Sequence, residues 1–286
     1  MAGVRIGLTL PSFQSDPERV LAVARAAEDA GLDGVFAFDH LFRRRGDATA
    51  AERRPALELL TMTAAVAAGT DRIMVGTLVA RATLRPPGLQ RAAFDTLARI
   101  APGRVIAGLG AGDGESLAED LAFGVLPADP EAAGAWRLER LEASVAALHR
   151  RGYPVWVAGV SPAAVRLAAA RADGWNRWGG GPASFATAVE RVRAEVANAG
   201  RDPGAFTCTW GGLAVLGATA AEAEAKWQRL GGGRPGIVHG TPAEAAGQIA
   251  AYAEGGAAWV ILGPVDSSDP ANAGLVGEAA RALRRP

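Results

Sequence analysis

The sequence of 286 residues has one cysteine, Cys208, one lysine, Lys226, and three histidines. A single cysteine excludes an internal disulfide and a cysteine-based metal cluster, and it fits a reducing, cytoplasmic setting. The lysine is the one candidate for Schiff-base chemistry, but its Ala- and Glu-rich helical surroundings predict a solvated surface position. The histidines are far apart and show neither HxxxH nor HxE spacing, so the sequence predicts no metal centre.

Neither positive nor negative charge is in excess, because 30 Lys and Arg residues balance 30 Asp and Glu residues. This balance predicts no general attraction to nucleic acid or to a membrane surface. The first residues, MAGVRIGLTLPSF, contain too short an apolar segment for a secretory signal. The longest uncharged stretch, 203–221, contains Thr, Gly and Pro, which favours a buried strand over a membrane span. We therefore expect a cytoplasmic protein.

Short apolar runs alternate with helical patterns along the chain. The runs that indicate buried strands are 4–10, 34–38, 72–76, 104–109, 154–158, 173–175, 206–216 and 259–262. Strict alternation of strand and helix predicts a parallel sheet with right-handed crossovers. Eight such units favour a (β/α)8 TIM barrel over an open, doubly wound sheet. No linker rich in Pro, Ser or charge divides the chain, so we expect a single domain over residues 1–286.

Candidate functional residues are those that follow the strands, because the active site of such a barrel lies at the C-terminal ends of its strands. His40 follows the second strand and has Asp39 as its neighbour. This strand-end position and the acidic neighbour suit a general acid or base. A structural histidine that caps the following loop is the alternative.

The segment GLGAGD at 108–113 is the second candidate. Alternating glycines after a strand allow a flat ring or a phosphate to approach the backbone, although a tight barrel corner would need them too. The spacing differs from the dinucleotide-binding fingerprint. Asp113 is an acid at the strand end, whereas the pattern predicts that Glu119 and Asp120 lie on a solvated helical face.

Five segments together carry a resemblance to a known family. They are AEDAGLDGVFAFDH at 27–40, TDRIMVGTLVARATLRPPGLQRAAFDTLARIAPGRVIAGLGAGD at 70–113, AARADGWN at 169–176, AGRDP at 199–203 and GTPAEAAGQIAAYAEGGAAWVILG at 240–263. On these residues the chain resembles the bacterial luciferase-like superfamily of flavin- and deazaflavin-dependent oxidoreductases. The resemblance implies a luciferase-like TIM barrel with shortened insertion regions, since residues 150–154 join a helix to the fifth strand almost directly.

The resemblance also implies the site residues. His40 would lie near the reactive ring and exchange a proton, with Asp113 as a second catalytic acid. Leu78 and Val79 would form a bulge behind the ring, often with a cis peptide bond. The cofactor-binding residues implied in this way are Asp39, Leu78, Val79, Gly110, Ala111, Gly112, Ala158, Gly159, Val160, Trp175 and Asn176.

The DH, ADGWN and GRDP segments look most like the deazaflavin-dependent members. The resemblance therefore implies hydride transfer between coenzyme F420 and a small organic substrate, by a homodimer. An FMN-dependent two-component monooxygenase, which needs a reductase partner, is the first alternative. A non-catalytic cofactor-binding barrel is the second. A sugar-phosphate barrel enzyme would fit the strand count but not these segments.

Overall fold

The strands that build the core are short and almost entirely buried. The computed structural model describes residues 3–43, 54–112, 116–125, 132–231, 233 and 236–284. The strands are β1 (Arg5–Thr9), β2 (Gly34–Ala37), β3 (Phe42–Arg43), β4 (Arg54–Pro55), β5 (Met74–Thr77), β6 (Ala80–Arg81), β7 (Val105–Gly110), β8 (Val155–Ala158), β9 (Gly174–Trp178), β10 (Thr207–Leu216), β11 (Val238–Gly240) and β12 (Trp259–Pro264). The helices are α1 (Pro17–Asp29), α2 (Leu59–Ala68), α3 (Pro87–Ile100), α4 (Leu117–Ala122), α5 (Ala133–Leu148), α6 (Pro162–Arg171), α7 (Pro182–Asn198), α8 (Ala220–Arg229), α9 (Pro242–Glu254) and α10 (Ala271–Leu283).

Eight of these strands form a closed parallel ring. Their order is β1, β2, β5, β7, β8, β9, β10 and β12, and the pairing of Ile6 with Val260 joins the last strand to the first. Each of the eight overlaps one of the apolar runs in the sequence, so the predicted (β/α)8 TIM barrel is confirmed. The sequence pattern did not predict the two-residue strands β3, β4 and β6, or β11, which extends the sheet beside β10.

Inward-pointing side chains form layers, because successive residues of a strand face opposite sides. A lower layer of large side chains fills the barrel: Phe36, Ile106, Trp156, Trp259 and Ile261. Nearer the C-terminal ends of the strands, the inward positions include Gly110, Gly211 and Gly263. Large residues below and glycines above leave space at the C-terminal mouth of the barrel.

Helix starts at this mouth follow local capping chemistry. Ser161 accepts a hydrogen bond from the Ala164 N–H at 3.2 Å, and Pro162 occupies the first helical position of α6, as the sequence predicts. The segment from Thr241 begins α9 with a capping box to Glu244. In the described part of the chain, no helix combines the length and the apolar character that crossing a bilayer requires.

The predicted solvated position of Lys226 is wrong. Its ammonium donates to the Leu216 carbonyl at 2.9 Å and lies 3.2 Å from carboxylate oxygens of both Glu222 and Asp266. The cause is the short turn between β10 and α8, which brings this face of α8 back against the end of β10. The lysine therefore ties α8 to the loop that follows β12.

Candidate active site

His40 lies at the C-terminal mouth, three residues beyond β2, with 31% of its side chain exposed. Its Nδ1 is 2.7 Å from Oε1 of Glu119. A carboxylate accepts hydrogen bonds, so this contact assigns the ring hydrogen to Nδ1 and leaves Nε2 as a proton acceptor. The rings of Phe13 and Phe38 flank the imidazole at centroid distances of 5.5 and 5.7 Å. The imidazole is thus held by one polar contact and two apolar neighbours.

Glu119 is buried, so its predicted place on a solvated face is wrong. Besides His40, it accepts hydrogen bonds from the Leu41 N–H at 2.7 Å and from Arg81 Nη2 at 2.9 Å, both on Oε2. The helix that carries it, α4, turns this face toward the ends of β2 and β6 rather than toward solvent. A carboxylate buried in this way needs donors for both oxygens, and it has them.

Asp120 is fully buried, and its predicted solvated position is wrong for the same reason. Its carboxylate lies 3.2 Å from Arg81 Nη1 and 2.7 Å from Arg137 Nη2. Arg81 therefore bridges two adjacent carboxylates, and Arg137 connects α4 to α5. Buried charges are tolerated when they are paired in this manner, whereas removing one partner is costly. We call Glu119, Asp120, Arg81 and Arg137 the ion-pair cluster.

Asp39 lies beside His40 in sequence, but its carboxylate is bound by arginine and backbone. Oδ2 accepts hydrogen bonds from the Arg81 N–H at 2.9 Å and from Arg85 Nη1 at 2.6 Å, and Oδ1 accepts from Arg85 Nη2 at 3.2 Å. Burial alone would lower the pKa of Arg85, but Asp39 and Glu58 outweigh it and raise that pKa. Asp39 thereby anchors the end of β2 from which His40 extends.

Leu78 and Val79 are joined by a cis peptide bond directly after β5, where the resemblance implies one. Neighbouring glycines of β7 make room for this bulge. A Cβ on Gly108 would lie 2.0 Å from the Thr77 carbonyl oxygen, and a Cβ on Gly110 would lie 2.5 Å from Val79 Cγ2. Gly108 and Gly110 are therefore required for the close packing of β7 against the end of β5 and the bulge, whatever else they contact.

The segment after β7 continues with Ala111, which is half-buried, and Gly112, whose φ of 80° is a left-handed conformation that favours glycine. This turn lies against Arg81 and Ser116, so it is continuous with the ion-pair cluster. Asp113, the predicted second catalytic acid, lies outside the described residues.

The turn at 158–160 follows β8 and leads into α6. Gly159 has a φ of 135°, and Val160 is exposed at the mouth. The indole N–H of Trp175 donates to the Gly159 carbonyl at 2.7 Å, while its ring is buried and stacks on Phe185 at 6.2 Å. Trp175 thus supports this turn from outside the barrel, because its side chain points toward α7.

Asn176 is buried inside the end of β9, where its Nδ2 donates to Thr209 Oγ1 at 2.8 Å. This bond links β9 to β10 below the mouth. Among the described residues, no group of three or more His, Cys, Asp and Glu side chains is arranged to hold a metal ion. The mouth therefore combines His40, the cis bulge, the glycine segment and the turn at 158–160.

Comparisons with known proteins show the family to which the chain belongs. A family model described as luciferase-like monooxygenase matches residues 4–235. The F420-dependent glucose-6-phosphate dehydrogenase of Nakamurella multipartita is 33% identical over 227 residues, which are 69% of this chain and 63% of that protein. The enzyme of the same name from Beutenbergia cavernae is 42% identical over 120 residues, which are 41% of this chain and 33% of that protein. The chain therefore matches less than two thirds of the length of these relatives.

A solved structure has the same fold. An F420-dependent secondary alcohol dehydrogenase, in complex with an F420-acetone adduct, superposes with a TM-score of 0.78 and 18% identity. The superposition covers 99% of this chain and 100% of that one, and at this identity it bears on the fold alone. Because the family model spans most of the sequence, this chain belongs to the luciferase-like monooxygenase family.

Proposed function

We propose that this chain is an oxidoreductase that transfers hydride between coenzyme F420 and a small organic substrate. The observation that carries the proposal is the orientation of His40, whose Nδ1 contacts buried Glu119 so that Nε2 is free to exchange a proton at the mouth. The F420-dependent relatives named above support the choice of cofactor.

The mouth fits a planar ring. The absence of a Cβ at Gly110 keeps the surface beside Val79 flat, and the turn of Gly112 exposes backbone next to it. The turn at 158–160 precedes the N-terminus of α6, where the positive end of the helix dipole favours an anionic group such as a phosphate. The residues that would hold the cofactor are Leu78, Val79, Gly110, Ala111, Gly112, Ala158, Gly159 and Val160. When bound, coenzyme F420 would supply a two-electron hydride carrier.

The protein itself would manage the proton. When an alcohol is oxidised, its carbon loses a hydride and its hydroxyl loses a proton, which His40 Nε2 accepts. In the reducing direction the same nitrogen donates the proton to the carbonyl oxygen. The Glu119 carboxylate on Nδ1 stabilises the imidazolium that forms. Asp39 contributes by anchoring the strand end, and Asp113 remains a candidate for a second acid.

The cofactor is tested by titrating the purified protein with oxidised F420 and with FMN, followed by fluorescence. We expect binding of F420 in preference to FMN. Preference for FMN would instead favour a two-component monooxygenase. Binding without turnover on any alcohol or carbonyl compound would favour a non-catalytic barrel.

The role of His40 is tested by His40→Ala. Loss of a general acid or base lowers turnover by roughly 10²–10⁴-fold, whereas F420 affinity should change little. His239→Ala is a matched control, because His239, the middle residue of β11, is exposed and stacks on Trp227 at 4.2 Å. Equal losses of turnover and F420 affinity in His40→Ala would contradict the assigned role.

We also propose that the protein acts as a homodimer in the cytoplasm. Leu89 and Ile100 of α3 are exposed apolar side chains on the outside of the barrel, as expected of a subunit contact. Light scattering of the purified protein, compared with a Leu89→Glu variant, tests the assembly, and cell fractionation tests the location.

A further inference from the structure

Trp178 is a large aromatic residue that stays half exposed at the mouth. It ends β9 and points inward, two residues beyond Asn176, and 49% of it is accessible. Its ring lies over two glycines of the barrel wall. A Cβ on Gly211 would be 2.7 Å from Trp178 Cε3, and a Cβ on Gly263 would be 3.1 Å from Cη2. Glycine at both positions lets the indole lie flat across β10 and β12, with one face left uncovered.

The indole and the imidazole belong to strands on opposite sides of the mouth. His40 extends from β2 and Trp178 ends β9, and three strands separate β2 from β9 in either direction around the ring. Leu78, at the cis bulge, also reaches this floor, since its Cδ2 would be 3.4 Å from a Cβ on Gly211. A molecule in contact with His40 Nε2 therefore has the Trp178 side of the barrel as its opposite wall.

The wall beside Trp178 is apolar. Leu213 follows Gly211 on the inward side of β10, Val265 follows Gly263 on the inward side after β12, and both are exposed. Val265 also lines a hollow of about 390 Å³, together with Phe13, which contacts the His40 ring. This hollow therefore lies between Val265 of the apolar wall and Phe13, the neighbour of the His40 ring.

Charge in the hollow disfavours an anionic substrate. Its described charged residues are Arg19, Asp266 and Asp269. The guanidinium of Arg19 lies 3.7 Å from Asp16, and Asp266 is paired with Lys226 at 3.2 Å. A phosphate dianion that entered would meet two carboxylates, and the described cation of the lining, Arg19, already has Asp16 beside it.

We propose that the substrate is an unphosphorylated alcohol or carbonyl compound whose flat, apolar group stacks on Trp178. The inference rests on the proposed function, because it assigns the second substrate of the same site. It separates this chain from the relatives named for glucose 6-phosphate, whose substrate carries a phosphate. Trp178 is then a specificity-determining residue, and His40 acts on the hydroxyl or carbonyl oxygen at the other end of the substrate.

The test uses benzyl alcohol and benzyl phosphate, which share a ring and differ in the phosphate. Saturation-transfer NMR measures the affinity of each for the full-length protein, with and without F420. We expect benzyl alcohol to bind and benzyl phosphate to bind far more weakly. Trp178→Ala should weaken benzyl alcohol binding about tenfold, the size expected for loss of an aromatic stack and its buried area. Trp227→Ala is the matched control, since Trp227 is another tryptophan, but it stacks on His239 and does not lie over Gly211 and Gly263.

Each outcome separates this inference from the proposed function. Stronger binding of benzyl phosphate, no binding of either probe, or unchanged benzyl alcohol affinity in Trp178→Ala overturns the inference. If Trp178→Ala weakens F420 affinity and leaves benzyl alcohol affinity unchanged, the indole belongs to the cofactor site, and this result also overturns the inference. If benzyl alcohol binds in a Trp178-dependent way but F420 does not bind, the inference stands and the proposed function fails.

Discussion

Replacing Glu119 with glutamine is expected to disable His40 without unfolding the barrel. Oε2 of Glu119 accepts hydrogen bonds from Leu41 N–H and from Arg81, whereas Oε1 faces His40 Nδ1. An amide has one acceptor oxygen, and the two donors at the Oε2 position require it there. The amide nitrogen is then left facing Nδ1 and donates to it. The ring must carry its hydrogen on Nε2, which is the wrong tautomer for accepting a proton from substrate.

The contacts of Glu119 also set the expected losses of turnover and of stability in Glu119→Gln. Loss of correctly protonated general acid–base catalysis lowers turnover by roughly 10²–10⁴-fold. The stability cost is smaller, because Arg81 keeps Asp120 as a partner at 3.2 Å and the amide keeps the shape of the carboxylate. Weakening the hydrogen bonds to one buried charged group lowers the free energy of unfolding by about 2 kcal/mol.

The assay is kcat and KM over a range of pH, with F420 affinity and urea unfolding measured on the same preparations. Glu28→Gln is the matched control, since the Glu28 carboxylate also accepts several hydrogen bonds, from the Arg72 N–H at 2.6 Å and the Ile73 N–H at 2.9 Å, but at the opposite end of the barrel. It should lose stability and keep kcat. A folded Glu119→Gln variant whose kcat stays within about threefold of the unchanged protein would refute the tautomer argument.

Two further predictions concern stability. Burial alone would raise the pKa of Glu28, but backbone hydrogen bonds from the segment 71–73 outweigh it and hold that pKa below its ordinary value of 4.5. Glu28 therefore contributes its full stabilisation above pH 4.5 and loses it as the pH falls through the lowered pKa. Glu28→Gln should flatten the acid limb of the plot of unfolding free energy against pH, and an unchanged acid limb would contradict this. Gly110→Ala should cost roughly 1–3 kcal/mol in urea unfolding and weaken F420 binding, because the new Cβ meets the stiff side chain of Val79. Gly88→Ala on α3, with no atom within 4 Å of the added Cβ, is its control, and equal stability of the two variants would show that the bulge can relax.

The fold could be predicted because its strands are buried on both faces. Parallel strands of this kind appear as continuous apolar runs, and the run at 206–216 became β10, Thr207–Leu216. The predicted strand at 173–175 was too short, because β9 continues to Trp178. Asn176 and Arg177, which point to opposite sides of the barrel wall, interrupt the apolar run in the sequence. The strands of two and three residues, such as β6, are too short to show any periodicity.

The site could be predicted only where its chemistry is local in sequence. His40 and the cis bond between Leu78 and Val79 follow strand ends, so the barrel rule and the resemblance found them. Glu119 was missed because its partners are 79 residues away at His40 and 38 residues away at Arg81. Two adjacent acidic residues on a short helix predict a solvent-exposed face unless their distant partners are known.

The ion-pair cluster explains why an exposed histidine can have a fixed orientation. The helix α4 has six residues, which is too short to be stable by itself. It is held by tertiary contacts, since Asp120 binds Arg81 and Arg137 while Glu119 binds Arg81 and His40. The contacts that fold α4 are therefore the ones that select the tautomer of His40. Under the proposed function, proton exchange by His40 would depend in this way on the two arginines of the ion-pair cluster, and a variant of either arginine should disturb the helix and the histidine together.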